Sequence, residues 1–152
     1  MERNKKFKIL TRNNYSLISV SLLLLRLVIG IILFIIGSGK VFGWFGGFGL
    51  HTTIQYLSIK GGIPVPLVYI HCFTEFIGGI LLAIGLFTRP VAIAVIINMA
   101  VATITMLPNG FLGPSGASYP FTFLIIAITI LISGPMNLSI DNLLFGMQKK
   151  TQ

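Results

Sequence analysis

Two of the few charged residues in this chain lie inside long apolar runs. Arg26 directly follows four leucines, and Glu75 lies in the middle of a second apolar run. An ionised side chain at the centre of a membrane helix costs at least about 2.5–3.5 kcal/mol, so such residues are kept for function or for a specific pairing. We therefore take Glu75 and Arg26 as the candidate catalytic residues.

Depth along the two runs predicts that Arg26 pairs with Glu75. At about 1.5 Å per residue, Arg26 lies roughly 13–14 Å and Glu75 roughly 18 Å from the inner ends of their runs. His71 and Lys40 then lie above the pair. We predict that Arg26, Lys40, His71 and Glu75 line an outward-opening ligand-binding pocket, in which the excess of basic groups would favour an anion or a polarisable carbonyl. The alternative is a purely structural ion pair.

The remaining reactive residue types predict less chemistry. His51 is the only other histidine and Cys72 the only cysteine, so neither a metal site nor haem ligation is expected, because both need convergent ligands. Cys72 also has no partner for an internal disulfide. Arg89 and Asp141 both fall at the predicted inner boundary, where we expect a structural ion pair at the surface.

The elements that must hold these residues are membrane helices. Of the 152 residues, 55% are hydrophobic and only 9% are charged, whereas a soluble domain carries about 25% charged residues. Uniformly apolar runs of about 17–25 residues predict spanning helices. Four such runs are present, at residues 17–37, 66–87, 91–107 and 119–135. The predicted fold is all-α, an integral membrane four-helix bundle.

The predicted domain organisation is one four-helix transmembrane domain, residues 17–145, between a basic tail, 1–16, and a short tail, 146–152. The first outer loop opens with the glycine-aromatic sequence from Gly43 to Gly49. Leu50, Ile54 and Leu57 then recur at helical spacing, which predicts a short interfacial amphipathic helix on the outer surface.

The net charge of +8 follows the topology. Eight basic residues fall on the side of the termini and only Lys40 and Lys60 on the other, so the positive-inside rule predicts cytoplasmic termini and a location in the plasma membrane. The expected partner of the basic tail is the lipid bilayer rather than nucleic acid, since no nucleic-acid motif accompanies the charge.

Polar and small residues form stripes at helical spacing in each run. The first stripe extends from Arg26 to Lys40 through Gly30, Leu33 and Gly37, and the second from His71 to Arg89 through Glu75, Gly78, Leu82 and Gly85. Weaker stripes are Asn98, Ala102 and Thr105, then Thr122, Ile126, Thr129 and Ser133. Small residues allow close helix packing, so all four stripes are predicted to face the interior of the bundle.

The order of these polar residues resembles the DoxX family of small four-span membrane proteins over residues 20–145. The matching segments are Arg26, Gly37-Ser-Gly-Lys40, Glu75-Phe-Ile-Gly78-Gly79, Thr88-Arg89-Pro90 and the sequence from Gly134 to Asp141. Two departures are that Ser118-Tyr119-Pro120 lacks the acid often found at the head of the last span, and that the closing Gly-x-Gly is reduced to Gly134-Pro-Met136.

The resemblance implies a membrane component of a redox system, since relatives include a subunit of a thiosulfate:quinone oxidoreductase and proteins of oxidative-stress defence. A quinone- or thiol-linked oxidoreductase subunit with a membrane quinone as ligand is the first hypothesis. A non-catalytic anchor for soluble redox enzymes is the second, and a small transporter of an anionic or quinone-like compound, which would need a homo-oligomer, is the third.

Overall fold

The protein is described by a computed structural model that covers residues 15–113, 115–135 and 139–145. Six α-helices follow one another: α1 (Tyr15–Phe42), α2 (Gly49–Gln55), α3 (Val65–Ile84), α4 (Thr88–Met106), α5 (Ser118–Ser133) and α6 (Ile140–Phe145). Short 3-10 segments occur at Trp44–Gly46 and Leu107–Asn109, and α2 continues as a π-helical segment through Tyr56–Lys60. No strand occurs in the described ranges, so the predicted all-α fold is confirmed.

Three of the helices, α1, α3 and α4, are long and apolar enough to cross a membrane, and α5 is a shorter apolar helix. The predicted number of four spans therefore stays a prediction. The predicted division into one domain and two tails also stays a prediction, because residues 1–14 and 146–152 lie outside the described residues.

The four apolar helices pack in the order α1, α3, α4 and α5, and α5 also contacts α1. A buried core of aliphatic side chains holds them together, and its members are Ile29, Leu33, Leu82, Val91, Ala92, Val95, Met99, Ala127 and Ile130. Burial of such side chains inside a bundle supplies close van der Waals packing, the main source of helix association within lipid.

Glycines set the register between α1 and α3. A Cβ on Gly30 would lie 2.7 Å from the Gly79 carbonyl oxygen, and a Cβ on Gly37 would overlap the backbone of Phe76. The two backbones therefore touch, which side chains larger than hydrogen would prevent. The predicted stripes of α1 and α3 face inward, except for Arg89, which lies in α4 and is exposed.

The α3–α4 connection is a tight turn that ends α3 at Gly85, whose φ of 71° is the left-handed conformation favoured by glycine at a helix end. We call this end of the bundle the turn end. The opposite end, which carries the segments 43–64, 107–113 and 115–117, is the loop end. Because the helices alternate in direction, all of these segments emerge at the same end.

The loop-end helix α2 is present where the sequence predicts it. Leu50, Ile54 and Leu57 are half-buried, whereas His51 and Gln55 on the opposite face are exposed. This arrangement confirms the amphipathic character predicted from the spacing.

The inward-facing stripe predicted for the last span is wrong at its two threonines, although Ile126 of the same stripe packs against the core. Thr122 and Thr129 are exposed on the outer surface of α5, while Ala127 and Ile130 face the core. The threonine hydroxyls donate to the carbonyl oxygens one turn earlier, at 2.8 Å to Ser118 and 2.9 Å to Ile125. Because each hydroxyl is satisfied within its own helix, it needs no partner in the bundle interior.

Candidate functional site

Four polar side chains from three helices meet near the loop end. Lys40 comes from the last turn of α1, His71 and Glu75 lie one turn apart on α3, and Asn98 lies on α4. We call these four residues the polar cluster. Its members are largely enclosed: Glu75 is 1% exposed and Asn98 is 9% exposed.

Lys40 and Glu75 form the ion pair of the cluster. The Lys40 Nζ lies 2.7 Å from Glu75 Oε2 and 2.8 Å from Glu75 Oε1, so the ammonium group bridges both carboxylate oxygens. The close approach of α1 to α3 at Gly37 makes this contact possible, because Gly37 lies one turn before Lys40 and packs against the backbone at Glu75. A charge-assisted bond of this kind is stronger than one between neutral groups.

His71 links the ion pair to α4. Its Nε2 lies 2.8 Å from Lys40 Nζ, and its Nδ1 lies 2.6 Å from Asn98 Oδ1. The Lys40 ammonium has only donors, so Nε2 accepts, which leaves Nδ1–H to donate to the Asn98 oxygen. The cluster is thus a directed chain of hydrogen bonds from α1 through α3 to α4.

Asn98 ends this chain with its amide oxygen, and its amide nitrogen takes no part in it. This nitrogen is buried and has no hydrogen-bond partner in the part of the chain that the structure describes. Buried amide donors are nearly always satisfied in proteins. Two N–H donors are therefore available at the α4 end of the cluster for a ligand or a water molecule.

A cavity of about 240 Å³ lies beside Lys40 at the loop end. One wall is the α1 segment from Ile35 to Lys40, and the other is the glycine-aromatic loop with Trp44, Phe45 and Phe48. This loop contacts α1 through backbone atoms, since a Cβ on Gly47 would overlap Gly39. The cavity therefore combines aromatic faces with the one cluster residue, Lys40, that lines it.

Arg26 lies at the turn end, away from the polar cluster. Its Nη1 donates to the Pro135 carbonyl oxygen at 3.0 Å, and it contacts the backbone at Gly85. Gly85 follows Glu75 by ten residues on α3, or about 15 Å. The predicted Arg26–Glu75 pair is therefore wrong, and Arg26 does not line a pocket with Lys40, His71 and Glu75.

The packing of α1 against α3 explains the difference. The prediction places the inner ends of both runs at the same depth in the membrane. The glycine contacts instead place Arg26 beside the end of α3, so the first turns of α1 extend beyond the α3–α4 turn. The same register brings Lys40 level with His71 and Glu75. A basic residue does neutralise Glu75, as expected, but that residue is Lys40.

The predicted Arg89–Asp141 ion pair is also wrong. The Asp141 carboxylate accepts from the backbone N–H groups of Phe87 and Thr88, each at 2.7 Å, while Arg89 lies against Gly134. Two amide donors at the start of α4 offer a carboxylate better geometry than a flexible surface arginine. Asp141 is consequently 8% exposed and acts as a cap for α4 supplied by a distant segment.

The described residues contain no group of three or more His, Cys, Asp and Glu side chains that could hold a metal ion. Cys72 is buried within α3, and His51 is exposed on α2. The two residues therefore lie on different helices and in different surroundings. Cys72 lies three residues before Glu75 on α3.

Comparison with known proteins identifies the family. The DoxX family matches residues 21–108, which include all four residues of the polar cluster. The chain belongs to the DoxX family. This DoxX protein is also 32% identical over 131 residues to a Bacillus subtilis (strain 168) protein named "Putative oxidoreductase CatD", an alignment that covers 86% of this chain and 91% of the relative. No solved structure matches the chain.

Sequence reasoning missed two parts of the site in this DoxX protein. Asn98 had been placed on a weak stripe of the third span without a role, although an amide in an apolar helix is itself a signal that a polar partner lies nearby. The sequence places Trp44 and Phe45 in the first outer loop but does not predict that they form a wall of the cavity. Neither residue could be joined to Lys40 without the register of α1 against its neighbours.

Proposed function

We propose that this DoxX protein is a membrane subunit of a quinone-linked oxidoreductase, with the quinone head group held beside the polar cluster. The observation that carries the proposal is the Glu75–Lys40–His71–Asn98 chain of hydrogen bonds, whose Lys40 lines an aromatic-walled cavity. Membership of the DoxX family and the printed name of the Bacillus relative support a redox-associated role in the membrane.

The chemistry of quinones fits these residues. A quinone takes up two electrons and two protons to form a quinol, with one proton added at each oxygen, so a site needs hydrogen-bond donors and a proton supply. Lys40 lines the cavity, and its three ammonium N–H groups face Glu75 Oε1, Glu75 Oε2 and His71 Nε2, so a quinone oxygen would take one of these N–H groups from its present acceptor. Trp44 and Phe45 offer faces for a planar ring. The electrons would come from a partner redox protein that carries its own cofactor.

Glu75 and His71 hold the Lys40 ammonium group, and Asn98 in turn holds the His71 ring. His71 can pass a proton between its two ring nitrogens. Arg26 has no part in this proposal, because it lies at the turn end. The soluble redox partner and the homo-oligomer stay predictions from the sequence.

The test is the quinone content of protein purified in mild detergent from quinone-containing membranes, measured by mass spectrometry. We expect quinone with the wild type and at least about a tenfold loss in the Lys40→Met/Glu75→Gln double variant, which removes the charges but retains volume. Lys60→Met is the matched control, because Lys60 is an exposed lysine outside the cluster. Wild-type protein that retains soluble redox enzymes but never quinone would contradict the proposal and favour the anchor hypothesis.

A further inference from the structure

Four aromatic rings follow one another along the junction of α1 and α3. Phe34 stacks on Phe76 with ring centroids 5.5 Å apart, Phe76 meets Phe42 edge-on at 5.2 Å, and Phe42 stacks on Trp44 at 4.9 Å. Offset and edge-on pairs at these separations are favourable aromatic contacts. We call Phe34, Phe42, Phe76 and Trp44 the aromatic seam.

The aromatic seam is an open surface that leads to the cavity beside Lys40. Phe42 is 51% exposed and Trp44 is 53% exposed, so ring faces remain accessible from outside the bundle. Trp44 belongs to both features, because it also lines the cavity. Phe34 lies eight residues before Phe42 on α1, so the seam extends about 12 Å along the apolar outer face of the helix.

A second apolar surface competes with the seam for the same kind of occupant. A groove of about 460 Å³ lies between α3 and α4, and Phe73, Thr74 and Ala94 are among the residues that line it. Its lining includes neither a residue of the polar cluster nor a residue of the cavity. Only the aromatic seam is continuous with the place where the head group would bind.

We propose that the aromatic seam binds the hydrocarbon tail of the quinone, and that the ligand enters the Lys40 cavity sideways from the bilayer. The inference rests on the proposed function and extends it by naming the tail subsite and the class of ligand. A lipid-soluble quinone has a flat polar head and an unsaturated chain. The chain pairs with exposed ring faces along the α1–α3 junction while the head group reaches the Lys40 ammonium.

The preference of this site would then be for tailed quinones over small ones. A tail-less quinone gains only the cavity contacts, whereas a tailed quinone also covers Phe42 and Phe76. The seam makes tail binding independent of the charged cluster, so variants in the two regions should change affinity in different ways.

Trp44 is the single tryptophan of the chain and therefore a local reporter of this site. Quinones quench tryptophan fluorescence on contact, so titration of the protein in detergent micelles, which contain no other tryptophan, with a long-tailed and a tail-less quinone gives two affinities. For Phe42→Ala we expect about a tenfold weaker midpoint with the tailed quinone and an unchanged midpoint with the tail-less one.

Phe73→Ala is the matched control, because Phe73, like Phe42, is an exposed phenylalanine, but it lies on α3 and lines the competing groove. It should leave both midpoints unchanged. Phe42→Leu, which keeps apolar volume and folds more readily, should give a smaller loss that is again confined to the tailed quinone. Retention of the tailed quinone during purification, measured by mass spectrometry, should follow the same order.

Three results would overturn the inference. If Phe73→Ala rather than Phe42→Ala weakens the tailed quinone, the tail lies in the α3–α4 groove. If neither variant changes any midpoint while wild-type quenching persists, the seam is not a tail subsite, although the proposed function survives. If neither quinone quenches Trp44 in the wild type and none is retained, the proposed function itself fails.

Discussion

Lys40 and Glu75 form the buried ion pair of the polar cluster, which links the stability of the fold to the proposed binding of quinone. Glu75 is buried, and both of its carboxylate oxygens lie 2.7–2.8 Å from the Lys40 Nζ. Removing one member of a buried pair leaves the other charge unsolvated, whereas removing both can be neutral. Single and double variants therefore separate the stability of the fold from binding.

We predict that Lys40→Met alone lowers the free energy of unfolding by about 3 kcal/mol, the lower end for a broken buried pair, because Lys40 keeps 22% of its side chain exposed. The Lys40→Met/Glu75→Gln double variant should recover most of this loss, since the new amide can donate to His71. Thermal stability in detergent measures both. Equal stability of the single variant and the wild type would show that the pair is not formed.

Asp141 is the residue that gives the turn end a dependence on pH. Burial of the Asp141 carboxyl works to raise its pKa, but hydrogen bonds from the backbone of Thr88 and Phe87 and the charge of Arg26 outweigh burial and hold the pKa below its ordinary value. A carboxyl whose folded-state pKa is lowered stabilises the fold above its unfolded pKa, about 3.9, and this stabilisation disappears as the pH falls through the lowered value.

The wild type should accordingly lose stability as the pH falls below about 4. Asp141→Asn should be less stable near neutral pH, by about 1 kcal/mol for a weakened helix cap, and should lose less on acidification. The measurement is the unfolding midpoint from pH 7 to pH 3 for both proteins. Parallel pH profiles of the two proteins would mean that Asp141 does not carry the effect.

At the scale of helices, the α1–α3 contact determines what could be read from the sequence. The spacing of Arg26, Gly30, Gly37 and Lys40 correctly indicated the buried face of α1, because small and polar residues recur there at helical intervals. The register of α1 against α3 could not be predicted from the sequence, since it depends on where the two helix backbones touch and not on the residues of either helix alone. The stripe on α5 failed because a threonine can satisfy its hydroxyl within its own helix.

Two adjacent glycines on α3 test this contact. A Cβ on Gly79 would lie 2.5 Å from the Phe34 backbone nitrogen, whereas a Cβ on Gly78 would meet only side-chain methyl groups, at 3.6 Å or more. We expect Gly79→Ala to destabilise the protein by about 1–3 kcal/mol, as overpacking does, and Gly78→Ala to be tolerated. Yield of monodisperse protein and thermal stability compare them, and equal behaviour would disprove a backbone contact at Gly79.

At the scale of the whole molecule, the alternating helices place the aromatic loop and the segments 107–113 and 115–117 at one end and the capped α3–α4 turn at the other. The predicted orientation, with both termini cytoplasmic, rests on the bias of basic residues. α5 has 16 residues, or about 24 Å, and is shorter than a typical hydrocarbon core of about 30 Å. A full span there requires local thinning of the bilayer or flanking residues that reach the interface.

We predict that reporter fusions placed after residues 60 and 112 both report an external location. The charge bias is the physical reason, since basic residues are retained on the cytoplasmic side during insertion. A fusion after residue 87, within the α3–α4 turn, is the internal control. An internal signal at residue 60 or 112 would exclude the four-span topology.

The contacts at the turn end join the start of the chain to its last described helix. Arg26 donates to the carbonyl of Pro135, and Asp141 both caps α4 and donates its backbone N–H to Gly85 at 3.0 Å. A chain emerging from the ribosome inserts its first three long helices before these residues exist. Folding of this end can therefore finish only when synthesis is nearly complete. A chain that stops short of residue 135 would lack the contacts that Pro135 makes with α1 and that Asp141 makes with α4.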